Sequence, residues 1–311
     1  MKLSVVFPSV MYREGREGIT RLMQGIEAIG FDELDMFDHV VMGHETPTRR
    51  RPFYPPEMPI MEAFMVLSFA AAVTQRIKLG TSVLVLPQRQ PALVAKQVST
   101  LDTLSGGRVR LGVGLGWQRS EFEALQQNFG TRGQQMEEAI ELMRAYWRDE
   151  QVNYDGTFYQ AQAMAMEPKP VQGAKLPIWI GGTKPVALKR IARLADGWMA
   201  MRAPNDPPLE QQIHSLKTYA EEAGRNPAEI EMQTALTPDA NINKQSRDSR
   251  AQFYRDPDLL RQAAAQAKAL GFGHSSIDCV GLFQAGYRTS EALIEQLGKI
   301  HEALREEVGT P

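Results

Sequence analysis

Apolar positions along the chain switch between two periods. Residues 78–86 (KLGTSVLVL) are dense in aliphatic and β-branched side chains, and Pro87 closes the run, the pattern of a strand. Residues 91–104 place Leu93, Val94, Val98, Leu101 and Leu104 near the 3.6-residue spacing of a helix, which Ser105-Gly106-Gly107 stops. Residues 108–113 return to a strand pattern and empty into Gly114-Leu115-Gly116-Trp117. Two strands joined by a helix run parallel, so this stretch reads as a βαβ unit opening into a glycine-rich loop. The alternation recurs along the chain. It predicts strands at 3–7, 33–37, 77–86, 108–113, 178–180, 197–201, 230–235 and 276–282. Helices are predicted at 16–29, 61–74, 91–104, 132–148, 185–194, 209–223, 259–270 and 290–307. Eight βα repeats are the count of a TIM barrel, although a doubly wound open sheet shares the alternation.

Three stretches fall outside the repeat: residues 40–59, rich in proline and arginine, residues 149–176, and the polar residues 238–257. Insertions in a barrel of this kind are expected over its C-terminal face, where ligands bind. Composition narrows the partners. The net charge is −2, so nothing steers the chain to nucleic acid or an anionic membrane. Cys279 is the only cysteine, which precludes an intrachain disulfide and suits a reducing, cytoplasmic setting. The start, MKLSVVFPSV, reads as a first strand rather than a signal peptide, because Ser4 and Pro8 break its apolar run. No run is long and apolar enough to span a bilayer.

Candidate chemistry gathers at strand ends. Asp38-His39 follows the second strand, and histidine can give or take a proton near neutral pH. Asp38 either orients His39 or caps the following turn. Gly114 and Gly116 allow close backbone approach, while Trp117 either flanks a ligand or closes the barrel. The loop is not a dinucleotide fingerprint, since a third glycine at the right offset is missing. Gly181-Gly182-Thr183 precedes a helix starting near Pro185, and amides at a helix N-terminus favour a phosphate. His44, Glu45 and Arg49–Arg51 read as a solvated loop face, ahead of substrate contact as the alternative. The five histidines show no metal-ligand spacing, so no metal is expected.

Several of these segments also carry a resemblance. FDELDMFDH (31–39), GTSVLV (80–85), residues 104–117, PIWIGG (177–182) and ADGWM (195–199) stand in the order and spacing of the bacterial luciferase-like flavin and deazaflavin oxidoreductases. Within that superfamily the chain is most similar to members dependent on coenzyme F-420, a deazaflavin. The resemblance covers about two thirds of the chain and decides for a single luciferase-like (β/α)8 barrel domain, 1–311. It implies hydride transfer between coenzyme F-420 and a small organic substrate, with His39, beside Asp38, handling the proton near the ring. It implies a non-proline cis peptide in Thr81-Ser82-Val83, with Ser82–Val83 the candidate bond, packed behind the ring. It implies that Gly181–Thr183 holds the cofactor phosphate. Tryptophan at 117 departs from the acidic residue that some deazaflavin relatives carry near this point. An FMN-dependent monooxygenase fed by a partner reductase is the alternative on the same scaffold, and a non-catalytic ligand-binding barrel is a further one. Homodimers are common in the family, and the apolar helix at 61–73 is the candidate interface.

Overall fold

In a computed structural model, residues 1–201, 206–237 and 247–309 are described. Eight parallel strands close on themselves in chain order. They are β1 (Lys2–Val6), β2 (Glu33–Met36), β3 (Lys78–Thr81), β5 (Val109–Gly114), β8 (Ile178–Gly181), β9 (Gly197–Ala200), β10 (Glu231–Ala235) and β11 (His274–Asp278). Short β4 (Leu84–Val85) continues β3 and stays paired to β5. The ring closes where β1 pairs with both β2 and β11, Ser4 lying opposite Glu33 on one side and Ser276 on the other. Full closure leaves no bare sheet edge, which is why short strands of four to six residues suffice here. The barrel outcome of the βα alternation is therefore the observed one.

Helices surround the barrel: α1 (Gly15–Ile29), α2 (Ala63–Val73), α3 (Pro91–Ser105), α4 (Arg119–Ala124), α5 (Arg132–Arg148), α6 (Pro185–Leu194), α7 (Leu209–Glu222), α8 (Arg247–Arg255), α9 (Pro257–Ala269), α10 (Cys279–Gln284) and α11 (Ser290–Val308). In α1 the buried stripe is Leu22, Met23 and Ile26. Pro91 and Pro185 open α3 and α6, where a missing amide costs nothing. The apolar helix α2 is mostly spent inside the fold, with Phe64, Val66, Leu67, Ala70 and Ala71 buried and Met65 exposed. Among the described residues no helix is long and apolar enough to cross a membrane.

Three boundaries differ from the pattern reading. The strand expected at 77–86 is interrupted after Thr81, and the Ser82–Val83 peptide is cis. The strand expected at 276–282 ends at Asp278, whose side chain accepts from the Val280 amide at 2.8 Å and starts α10. An Asp N-cap thus turns an apolar run that reads as strand into helix. The stretch 149–176 follows α5 and precedes β8, so it joins the barrel at the N-terminal end rather than over the C-terminal face. It holds an antiparallel hairpin, β6 (Val152–Asp155) with β7 (Gln160–Met164), and Gln172 reaches Asp102 and the Val109 carbonyl at the start of β5. Residues 40–59 do sit at the C-terminal mouth. Of the stretch 238–257, residues 238–246 lie outside the described part, and α8 follows.

The barrel interior is charged. Arg110 of β5 donates from Nε to Glu33 Oε1 at 2.6 Å and from Nη2 to Asp35 Oδ1 at 2.5 Å, all three side chains buried. Its guanidinium lies over the Trp179 ring at 4.6 Å. Gly80 makes this possible, since a Cβ there would stand 2.3 Å from Asp35 Oδ1. Burial pushes the Asp35 carboxyl up to about 6 despite the Arg110 charge, with the Glu33 carboxylate adding to the rise.

Candidate active site

Two loops meet at the C-terminal mouth, one after β2 and one after β5. His39 lies near the start of the first and is buried. Its Nδ1 lies 2.9 Å from Oε2 of Glu121, a residue of α4. Glu121 Oε1 accepts from the Val40 and Val41 amides at 2.6 and 3.3 Å. Gln118 closes the same seam: its Nε2 donates to the Val41 carbonyl at 2.8 Å and its Oε1 accepts from the Gly43 amide at 3.3 Å. Burial acts to raise the Glu121 carboxyl, but the His39 bond and the Val40 amide outweigh it and hold the group below the ordinary carboxylate range. Glu121 is therefore an ionised acceptor, which fixes the proton on His39 Nδ1. His39 Nε2 has no protein partner among the described residues.

Aromatic rings wall this histidine. Trp117 and Tyr54 stand edge to face with it, at centroid distances of 5.3 and 5.7 Å. Burial, helped by the Asp278 charge, pushes the Tyr54 hydroxyl up to about 12, so it stays a neutral O–H.

Asp38 faces the other way. Its Oδ1 accepts from Arg89 Nη2 at 2.7 Å and its Oδ2 from the Val85 amide at 3.0 Å. It neither bonds His39 nor caps the next turn; it ties the end of β2 to β4. Thr81 Oγ1 donates to the Gly112 carbonyl at 2.6 Å, pinning β3 to β5 just before the cis bond. Beyond it the Val83 side chain projects between the ends of β5 and β8. A Cβ at Gly114 would come 2.5 Å from Val83 Cγ2, and one at Gly181 3.4 Å from Val83 Cγ1. The structure thus brings Ser82, Val83, Gly114 and Gly181 together. Gly116 turns the chain at φ +70° toward Trp117.

Gly182 takes φ +150°, and its carbonyl accepts from Trp198 Nε1 at 2.7 Å. Thr183 beside it is buried. Lys184, at the N-cap of α6, gives that helix no side-chain cap and pairs instead with Asp206 at 2.6 Å. An uncapped helix N-terminus behind two glycines suits an anion. Nearby in the helical layer, Arg190 is buried with its Nη1 left without a hydrogen bond. No group of three or more metal-ligating side chains is found among the described residues.

Glu121, the buried partner of His39, is the side chain of this candidate site that the sequence reading misses. It is 82 residues from His39, so no short spacing pairs them.

The sequence model of the family described as luciferase-like monooxygenase matches residues 1–288. The chain belongs to this family. Among its relatives, an uncharacterized protein of Mycobacterium tuberculosis is 36% identical over 218 residues, covering 67% of this chain and 74% of that one. An F420-dependent glucose-6-phosphate dehydrogenase of Gordonia bronchialis is 30% identical over 228 residues, covering 69% of this chain and 64% of that one. Among solved structures, the coenzyme F420-dependent tetrahydromethanopterin reductase of Methanopyrus kandleri superposes with a TM-score of 0.68 at 18% identity, over 96% of this chain and 97% of that one. That likeness speaks for the shared barrel.

Proposed function

We propose that this protein is an oxidoreductase that uses coenzyme F-420 and acts on a small organic substrate, with His39 as its proton-transferring group. The observation that carries the proposal is the His39–Glu121 pair at 2.9 Å, buried at the barrel mouth with Nε2 unpartnered. The relatives named as F420-dependent dehydrogenases support the choice of cofactor.

The residues present fit a flat ring bearing a phosphate. Val83 offers an apolar knob in a cradle that side chains at positions 114 and 181 would close. The α6 N-terminus, with Gly181, Gly182 and Thr183, would hold the phosphate. Thr81, Ser82, Val83, Gly114, Gly116 and Trp117 would surround the ring. Coenzyme F-420, when bound, supplies the two-electron hydride chemistry. The chain's own part is to orient substrate against the His39 edge and to move one proton. Nε2 takes the proton from an alcohol, and Glu121 steadies the imidazolium that results. In the reverse direction the same imidazolium returns the proton to a carbonyl oxygen. Asp38 acts through position, holding β2 to β4 beneath the ring site. We further propose a cytoplasmic homodimer, with the exposed Met65 of α2 in its interface.

Equilibrium titration, following bound-ring fluorescence, should show tighter binding of coenzyme F-420 than of FMN. Equal or tighter FMN binding, accompanied by oxygen uptake with reduced flavin, would move the protein to the flavin monooxygenases and call for a partner reductase. Gly182→Asp places a carboxylate at the phosphate position and a Cβ about 2.7 Å from that of Ala187. Affinity for coenzyme F-420 should fall at least about tenfold, roughly 1.4 kcal/mol, with circular dichroism unchanged. Unchanged affinity would put the phosphate elsewhere.

A further inference from the structure

A cavity of about 450 Å³ opens on the outer side of the His39 site, between the loop after β2 and the loop after β5. Arg49, Arg50, Arg51, Phe53, Trp117 and Arg119 line it, and the one carboxylate among the lining residues is Glu123. Four guanidinium groups against one carboxylate reverse the sign of a chain whose net charge is −2. Glu123 satisfies only Arg49, at 3.6 Å. Arg119 is held against the Phe129 ring at 4.5 Å. Arg50 and Arg51 have no ion-pair partner among the described residues. Arg50 and Arg51 are exposed, so water and salt screen them while the cavity is empty, and an anion entering it would meet several cations converging on one point.

The cavity also shares a wall with the catalytic histidine. Trp117 lines it and stands 5.3 Å from the His39 ring, while Phe53 lies 6.3 Å from Trp117. We infer that this cavity is a substrate subsite for an anionic group, a carboxylate or phosphate, carried one ring's width from the carbon that reacts beside His39. Trp117 and Phe53 would pack on the body of the substrate, and Arg50, Arg51 and Arg119 would take its charge. A substrate is favoured over the acidic part of the cofactor by position. The Gly181–Thr183 loop follows β8; two strands, β3 and β5, separate it from the β2 loop that carries Arg50 and Arg51, whereas the β5 loop that carries Arg119 is its direct neighbour. The word substrate rests on the oxidoreductase reading; the anion site does not.

Trp117 supplies a reporter independent of turnover. It is 43% exposed, whereas Trp147, Trp179 and Trp198 are each no more than 2% exposed. Phenyl phosphate and phenol are titrated against tryptophan emission in the wild type, in R50E/R51E and in W117F. Phenyl phosphate should change the emission saturably and phenol should not, W117F should lose the signal, and R50E/R51E should bind at least about tenfold more weakly. Equal phenyl phosphate binding by wild type and R50E/R51E would overturn the site. Coenzyme F-420 is then titrated into both proteins by its own fluorescence. Unchanged cofactor affinity in R50E/R51E supports the substrate assignment. A fall matching that of phenyl phosphate would place the cofactor's acidic tail in the cavity and overturn it. Absence of cofactor binding in the wild type would overturn the cofactor reading alone, leaving the phenyl phosphate result to judge the anion site.

Discussion

His39→Ala should lower turnover by about a hundredfold or more, the usual scale for a general acid–base residue, while coenzyme F-420 still binds. The pair geometry sharpens the expectation. Glu121 is expected to act on the reaction through His39, since its two oxygens hold His39 Nδ1 and the Val40 and Val41 amides of the loop that carries it. Glu121→Gln should therefore slow turnover by itself, and the double variant His39→Ala/Glu121→Gln should be no slower than His39→Ala alone. Steady-state rates at saturating cofactor, with any alcohol or carbonyl compound that the wild type turns over, measure all three. Additive losses would separate the two residues into independent roles. Normal turnover at saturation with weakened cofactor binding would make His39 a ring-packing residue and remove its catalytic assignment.

Why Glu121 escapes the sequence while His39 does not is a matter of range. His39 stands at a strand end, and strand ends are visible in the apolar pattern. Glu121 lies within a six-residue helix, too short to show a period, and its partner is a barrel strand away. Asp38 is misjudged for the same reason: adjacency in sequence suggests a partnership with His39, but Arg89, 51 residues on, takes the carboxylate. The barrel itself is legible because each βα unit is local, and eight of them leave few ways to close. The hairpin of β6 and β7 is not, because its strands are only four and five residues long and mostly exposed, too short for their alternation to stand out. The run Cys279-Val280-Gly281-Leu282 misleads because an apolar tetrapeptide fits strand or helix, and only the Asp278 cap decides. The cis bond at Ser82–Val83 leaves no trace in composition; family resemblance alone points to it. Arg50 and Arg51 remain the solvated charge that the sequence suggests, and only the fold shows that Arg119 joins them around one cavity.

The interior ion cluster yields the largest stability effect. Glu33, Asp35 and Arg110 read in sequence as polar positions within strands, yet all three face one another inside the closed barrel. Removing the cation strands two carboxyl groups in a medium that solvates them poorly. Arg110→Met should cost roughly 3–5 kcal/mol, the range for breaking a buried pair from one side. The melting temperature should drop by on the order of 10 °C. The pH dependence separates charge from packing. In the wild type, burial already pushes Asp35 up to about 6, so the native state holds a proton more tightly than the unfolded chain. That contribution is present below the unfolded carboxyl range and is lost as pH rises through about 6. Without Arg110 the attraction that restrains this rise is gone, and the folded-state value of Asp35 moves higher. The Arg110→Met penalty should then be larger at pH 8 than at pH 5, measured by denaturant unfolding at both. Adding Glu33→Gln and Asp35→Asn to Arg110→Met should recover part of the loss at pH 8, since no buried charge remains unpaired. A penalty equal at both pH values, with no recovery in the triple variant, would assign the loss to the guanidinium's packing on Trp179 instead of to the stranded charges.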